Sequence, residues 1–404
     1  MIHSFLSTQN ELYTMNAYIV AGYRTAVAKA KRGGFKNYRP DDLAAEVIKH
    51  LVQSIPNFEA EKVDDLIVGN AIPEGEQGMQ MGRIISLLSL PLNVPGMVLN
   101  RYCGSGLEAI GIAASRIHAG TADCIIAGGT ESMSFLPMMG YRPSLNWNLV
   151  SKNPEYMLSM GLTAEEIARQ YKIGRAAQDE FAYHSHQKAI KAIETGKFKD
   201  QIVPIEVEEI FVQNDKKISK KFVVDTDEGP RGDTTVEALA GLRPAFAADG
   251  TVTAGNASQT SDGAAFVMLM SEKMVNELGL KPIARLMSYT SAGVDPRIMG
   301  IGPVAAVPKA LKQAGLQLSD IQQVELNEAF AVQALAVIQE LGLDPNIVNP
   351  NGGAIALGHP LGCTGAKLSV QLLNEMRLRN QKYGMVTACI GGGQGIAGIY
   401  ELLN

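Results

Sequence analysis

The sequence lacks the features that would place it in several large classes. Its 404 residues include four cysteines, Cys103, Cys124, Cys363 and Cys389. They form no C-x-x-C pair and have no histidines at zinc-finger spacing, so neither a disulfide scaffold nor a metal site is expected. Thiols used so sparingly suit a reducing cytoplasm. No apolar run approaches the ~18 residues that cross a bilayer, which argues against an integral membrane protein. Basic charge is short as well, with 36 Lys and Arg against 41 Asp and Glu and a formal charge of −5. Phosphate backbones are bound by basic faces, so no nucleic-acid partner is expected. The first 23 residues contain no Lys or Arg, unlike a secretory leader or an Arg-rich transit peptide. Residues 1–15 read as an N-terminal extension, with Met15 just before the first good strand. The terminal Glu401-Leu-Leu-Asn404 carries no retention, peroxisomal or prenylation signal.

What is present describes a folded interior. Hydrophobic residues make up 46% and charged residues 19%, which excludes disorder as the main state. The length suggests two or three domain-sized units, each able to bury a core. Glycine is in excess, at 41 residues, or roughly one in ten against about 7% on average. These glycines gather at a few turns.

The chain repeats strand, small-residue turn and helix. Ala17–Ala21 reads as a strand and Asp41–Gln53 as an amphipathic helix. Asp65–Val68, Met97–Leu99 and Ile125–Ala127 read as buried strands. That alternation predicts an α/β fold with a parallel or mixed sheet covered on both faces. From about Met133 the pattern changes to a loop-rich stretch broken by Pro137, Pro143 and Pro154. Thr163-Ala-Glu-Glu166 has the spacing of a capping box opening a helix. Ile205-Glu-Val-Glu alternates with period two, and Asn214-Asp215 marks a turn before Lys221–Val224. Residues 133–260 therefore read as an inserted subdomain. The βα rhythm resumes after Thr260. Asn100–Gly129 and Asn349–Gly393 share the order turn, helix, strand, glycine run, which suggests two related halves, 16–275 and 276–404.

Several short motifs are decoys. Gly104-Ser-Gly106-Leu-Glu-Ala109 and Gly393-Gln-Gly395-Ile-Ala-Gly398 fit a relaxed dinucleotide fingerprint. The second leaves too little chain for a βαβ unit, and the first follows a cysteine that a pyrophosphate site does not use. Gly362-Cys-Thr-Gly365-Ala-Lys lacks the ending of a P-loop. His184 and His186 sit two apart on a polar helix, share no face, and read as solvated.

Cys103 is the stronger candidate for chemistry. It stands at a strand-to-helix turn, where the helix dipole favours thiolate and the glycines that follow admit a substrate. A lone cysteine there is more often a small core residue, but other segments converge on similar chemistry. Asn349–Gly362 places His359 in a glycine-lined loop, suited to a base or an oxyanion donor. Cys389 ends an apolar strand before Gly391-Gly-Gly393, a run of unhindered amides. Asn327-Glu328-Ala-Phe330 ends another strand. Ligands of open α/β sheets bind outside such strand ends.

The stretches NRYCGSGLEAI, AGGTESMS, RPAF, GTVTAGNASQTSDGAA, MGIGP, NEAF, NGGAIALGHPLGCTGA and CIGGGQG, in order from about Asn16 to Leu403, closely resemble the thiolase family. The resemblance is greatest to its 3-ketoacyl-CoA thiolase branch. It implies a five-layer αβαβα fold of two related halves, with a loop subdomain inserted in the first. It implies Cys103 as the acylated nucleophile, His359 as its base and Cys389 as a second acid–base thiol. Asn327 would hold a water that completes one oxyanion hole with the histidine, and the amides of Cys103 and Gly391 would form the other. Arg231, Phe246, Ala254 and Ser258 match positions that contact coenzyme A. Met160, Met299 and Phe330 match the acyl end.

The implied reaction is ping-pong thiolysis of a 3-ketoacyl-CoA in fatty-acid β-oxidation. Coenzyme A is a co-substrate, and no tightly bound cofactor or metal is implied. The resemblance also implies a homodimer or homotetramer and a multienzyme β-oxidation subunit as partner. Ser159 departs from acetoacetyl-CoA-forming members, which typically carry histidine there. Acetoacetyl-CoA synthesis or cleavage remains the alternative activity. A fatty-acid-type condensing enzyme would pair its cysteine with two histidines, and a lipid carrier would need none of these groups.

Overall fold

A computed structural model describes residues 16–403. The extension 1–15, Met15 and Asn404 lie outside the described residues. The strands of the first part are β1 (Ala17–Arg24), β2 (Ala28–Lys29), β3 (Asp65–Gly69), β4 (Gly96–Leu99) and β5 (Cys124–Ser132). A hairpin of β6 (Ile205–Gln213) and β7 (Lys216–Val224) precedes β8 (Ser261–Ser271). The last four are β9 (Ala284–Gly293), β10 (Gln323–Leu326), β11 (Tyr383–Ile390) and β12 (Gln394–Leu402). Helices of the first part are α1 (Pro40–Gln53), α2 (Met81–Ser89) and α3 (Ser105–His118). Between β5 and β8 lie α4 (Trp147–Val150), α5 (Met160–Tyr171), α6 (Arg175–Glu194) and α7 (Val236–Ala240). The remainder are α8 (Glu272–Glu277), α9 (Gly302–Ala314), α10 (Ala331–Leu341), α11 (Ala354–Leu357) and α12 (Thr364–Arg379).

The main sheet runs β10-β11-β12-β9-β1-β8-β5-β3-β4, with β2 on β8. β3 pairs parallel with both β4 and β5, and β10 pairs parallel with β11. Among the described residues the two flanks of the sheet pair where Tyr18 and Ile19 of β1 face Arg285 and Ala284 of β9. Side-chain alternation then sorts the strands into layers. Leu66, Val68, Ile126, Phe266 and Met268 turn toward α1 and α2 in one buried cluster. Their neighbours Ile67, Ile125, Ala127 and Val267 turn the other way, onto α3 and α12. The same two helices also bury Leu286, Val386, Ala388, Ile396 and Tyr400 of the other flank. Met385, Ala397 and Ile399 face outward again, onto α9 and α10. The result is five layers, with α3 and α12 in the middle and a helix layer outside each flank.

Local expectations hold in part. Asn214 and Asp215 both adopt positive φ, 51° and 60°, as the two-residue turn of the β6–β7 hairpin requires. Thr163 does not cap a helix. It lies inside α5, which starts at Met160, and its hydroxyl donates to Met160 O at 2.7 Å. Met97–Leu99 is half-buried rather than buried, because β4 is the last strand in the sheet order. Gly393 and Gly395 flank the start of β12 rather than opening a helix, so the second fingerprint has no dinucleotide geometry.

Candidate active site

Cys103 occupies the short turn Tyr102–Gly104 between β4 and α3. Tyr102 is held at φ 43°, a left-handed conformation that a bulky residue adopts only when its surroundings impose it. Its amide donates to Asn100 Oδ1 at 2.8 Å, and its carbonyl accepts from Ser105 Oγ at 2.7 Å. Gly106 and Gly365, at the starts of α3 and α12, let the two helices meet backbone to backbone. A Cβ on Gly106 would lie 2.7 Å from Ala366 N, and one on Gly365 only 2.3 Å from Leu107 N. This contact brings the Cys103 turn against the turn Leu361–Cys363, two residues beyond His359.

Cys103 is half-buried, and Cys389, at the end of β11, is buried. The backbone amides of Gly391 and of Cys103 itself lie on the side of the Cys103 sulfur that favours its charged form. Burial nonetheless pushes the Cys103 thiol up to about 11, with the Glu131 carboxylate adding to the effect and the two amides opposing it. The thiolate expected from the helix terminus is therefore not the resting form. Desolvation outweighs the amide dipoles. Cys389 is raised further, first by burial and then by Cys103, which places the two sulfurs within electrostatic reach.

His359 is 5% exposed. Its Nδ1 lies 2.6 Å from Thr364 Oγ1, and that hydroxyl lies 2.9 Å from Pro360 O. A carbonyl only accepts, so the hydroxyl proton points at Pro360 and Nδ1 must donate to Thr364. Nε2 then carries the lone pair, toward which Asn327 Nδ2 donates at 3.3 Å. Burial, helped by Lys367, lowers His359 to about 3, so the ring is neutral at pH 7. Asn327 Oδ1 is buried without a partner among the described residues. The Asn327 amide donates to Thr387 O at 2.9 Å, two residues before Cys389.

The apolar residues assigned to the acyl end do assemble. Met160, Met299 and Phe330 pack with Cys389 in one cluster, and Met160 Sδ comes within 3.5 Å of where a Gly391 Cβ would lie. The half-exposed Phe246 ring stands edge-on to Phe330, 6.2 Å between centroids. Ser258 is half-buried, with its amide bonded to Ala329 O. Arg231 and Ala254 are exposed and lie outside this cluster. Two acids before Arg231 have other partners, because Asp227 holds Arg24 at 2.7 Å and Glu228 accepts from the amides of Lys29 and Gly34. His186, read as solvated, is instead 4% exposed and accepts the Arg231 amide at 3.2 Å. Its burial comes from a loop distant in sequence, which helix periodicity does not reveal. Thr364 and Glu131 also escaped the sequence reading, which carried them only inside longer motifs.

Residues 17–273 match the family described as "Thiolase, N-terminal domain", and residues 280–402 match "Thiolase, C-terminal domain". A "3-ketoacyl-CoA thiolase" of Bacillus subtilis (strain 168) is 55% identical over 388 residues, spanning 96% of this chain and 99% of its own. The human "3-ketoacyl-CoA thiolase, peroxisomal" is 44% identical over 400 residues, spanning 98% of this chain and 93% of its own. A solved acetyl-CoA acetyltransferase of Bacillus anthracis superposes with a TM-score of 0.87 at 41% identity, covering 96% of this chain and 99% of that one. With five layers, a thiol turn at the meeting of α3 and α12, and matches across both halves, the chain belongs to the thiolase family.

Proposed function

We propose that this chain cleaves 3-ketoacyl-CoA with CoA, giving acetyl-CoA and a shortened acyl-CoA, through an acyl group on Cys103. The observation that carries this reading is the Cys103 turn packed at once against the turn that follows His359 and against the end of β11 that carries Cys389. His359 Nε2 takes the Cys103 proton as sulfur attacks the ketone carbon. The oxyanion that forms receives the amides of Cys103 and Gly391. The C–C bond breaks, and Cys389 gives its proton to the departing acetyl-CoA enolate. The thioester oxygen of that enolate faces Asn327, whose unpartnered Oδ1 suits a bound water. An incoming CoA thiol then gives its proton to the Cys389 thiolate and attacks the acyl group. Protonated His359 returns its proton to Cys103, so every proton is accounted for.

Coenzyme A enters as substrate, and no step calls for a tightly bound group. In this reading Arg231, Phe246, Ala254 and Ser258 hold CoA, while Met160, Met299 and Phe330 contact the acyl chain. The chain divides into halves at 16–275 and 276–404, with 133–260 inserted. A homodimer or homotetramer is supported by the exposed Leu87, Leu88 and Leu92 beside β4, which ends the sheet order. A cytoplasmic location fits the four unpaired thiols. Among the described residues no helix is long and apolar enough to cross a membrane.

The second reading, acetoacetyl-CoA metabolism, is favoured by relatives named acetyl-CoA acetyltransferase. Ser159 beside Met160 leaves the acyl end without a bulky polar ring, and each buried methylene adds up to ~0.8 kcal/mol. Thiolysis measured over a chain-length series decides between them. The proposal expects kcat/KM for 3-ketohexanoyl-CoA at least equal to that for acetoacetyl-CoA. A steep fall beyond four carbons would transfer the assignment to acetoacetyl-CoA.

A further inference from the structure

Glu131 closes β5 and is 1% exposed. Its Oε1 accepts from Asn70 Nδ2 at 3.1 Å and Gln77 Nε2 at 2.8 Å. Its Oε2 accepts from Ala71 N at 2.7 Å and Gly362 N at 2.8 Å. All four partners are N–H donors, and among the described residues no Lys or Arg pairs with this carboxyl. A proton on either oxygen would displace a donor, so the four donors favour the anion and oppose burial, which pushes this carboxyl above the ordinary carboxylate range.

Two chains of contacts leave the single atom Oε2. In one, Ala71 O accepts from Asn100 Nδ2 at 2.9 Å, and Asn100 Oδ1 accepts the amide of Tyr102, the strained neighbour of Cys103. In the other, Gly362 lies three residues beyond His359, in the turn that abuts Cys103. A Cβ on Gly362 would come within 2.6 Å of Asn70 Cα and 2.8 Å of Oε2, so glycine is what allows the approach. Cys103, Ala71 and Leu361 share one apolar contact group.

We propose that Glu131 is a positioning residue that ties the Cys103 turn to the His359 loop, across the two halves, through one oxygen. The inference rests on the thiolytic reading above and extends it to a residue outside the reacting set. The anion has a second consequence. The ionisable groups around Cys103 are Glu131 on β5, Cys389 on β11 and His359 on its loop, with Lys367 and Cys363 behind. A negative charge on β5 adds to the burial that holds Cys103 as thiol until His359 removes the proton.

The test uses the full-length protein and two readouts, steady-state thiolysis and the pH profile of Cys103 alkylation by iodoacetamide, read as mass on the Cys103 peptide. Glu131→Gln replaces one acceptor by a donor facing N–H groups. It should lower kcat about tenfold to a hundredfold with KM for CoA little changed, and move the alkylation profile to lower pH. Glu131→Asp keeps the charge and shortens the reach, so kcat should fall while the profile stays. Wild-type kcat together with a wild-type profile in Glu131→Gln overturns the proposal. Should Glu131→Gln not fold, Asn100→Ala severs the thiol arm alone; a fall in kcat with an unmoved profile supports the tie, and unchanged kcat overturns it. The alkylation profile requires no turnover, so a protein inactive in thiolysis would still report on Glu131.

Discussion

Replacing Thr364 by Val removes one oxygen with almost no change in shape, and tests the histidine geometry directly. The hydroxyl accepts from His359 Nδ1 at 2.6 Å and donates to Pro360 O at 2.9 Å, in a site closed to water. The variant leaves Nδ1–H facing a methyl group. An unpaired buried donor costs about 1–3 kcal/mol. The ring can relieve this by moving its proton to Nε2, which destroys the base, or by turning away from Cys103. Either route puts the penalty into the acylation step, and at about 1.4 kcal/mol per tenfold this means a loss of roughly 5-fold to 150-fold in kcat. Thr364 is not among the residues proposed to hold CoA, so KM for CoA should stay within about twofold. Thiolysis of a 3-ketoacyl-CoA at saturating CoA supplies kcat, and denaturant unfolding reports how much of the penalty falls on the fold. A Thr364→Val protein with full kcat and normal stability would refute the assignment of the Nδ1 proton.

Three further outcomes follow from the same geometry. His359→Ala should slow single-turnover acylation of Cys103 by about 10²–10⁴-fold, and near-normal acylation would leave His359 as a turn residue. Arg231→Ala should raise KM for CoA more than it lowers kcat, because Asp227 and Glu228 are engaged elsewhere; unchanged CoA kinetics would remove it from the binding surface. His186 is lowered from 6.5 to about 4 by burial and by Arg231. The unfolded chain therefore binds the extra proton, and stability that is complete above pH 6.5 is lost as pH falls toward 4. The advantage of wild type over His186→Gln in urea unfolding should shrink between pH 7 and pH 5, and a constant difference would contradict a neutral buried ring.

Much of this was legible because thiolase chemistry leaves dense local marks. Cys103, His359, Cys389 and Asn327 each stand where an apolar strand or loop gives way to small residues. The glycines around them are required by close backbone approach, as at Gly106 and Gly365. The α/β rhythm and the two halves follow from periodicity. The seam at β1 and β9 does not, because pairing between distant strands has no local signal. Thr163 misled because the Thr-x-x-Glu spacing also occurs inside a helix, and here Glu166 accepts instead from the side chains of Arg169 and Gln170. The resting protonation of Cys103 was missed for a related reason. A helix terminus is visible in sequence, whereas the desolvation that outweighs it belongs to the packed site. Thr364 and Glu131 act through partners far along the chain or through a proton's direction, and residue type alone encodes neither.

The central claim is that the acyl group passes through Cys103. Mixing the protein with a 3-ketoacyl-CoA in the absence of free CoA, quenching in acid and mapping the adduct by peptide mass spectrometry tests it directly. The account predicts the shortened acyl group on the Cys103 peptide, its disappearance when CoA is added, and no adduct or turnover in Cys103→Ala. An adduct on Cys389 alone, or thiolysis that persists in Cys103→Ala, would contradict it.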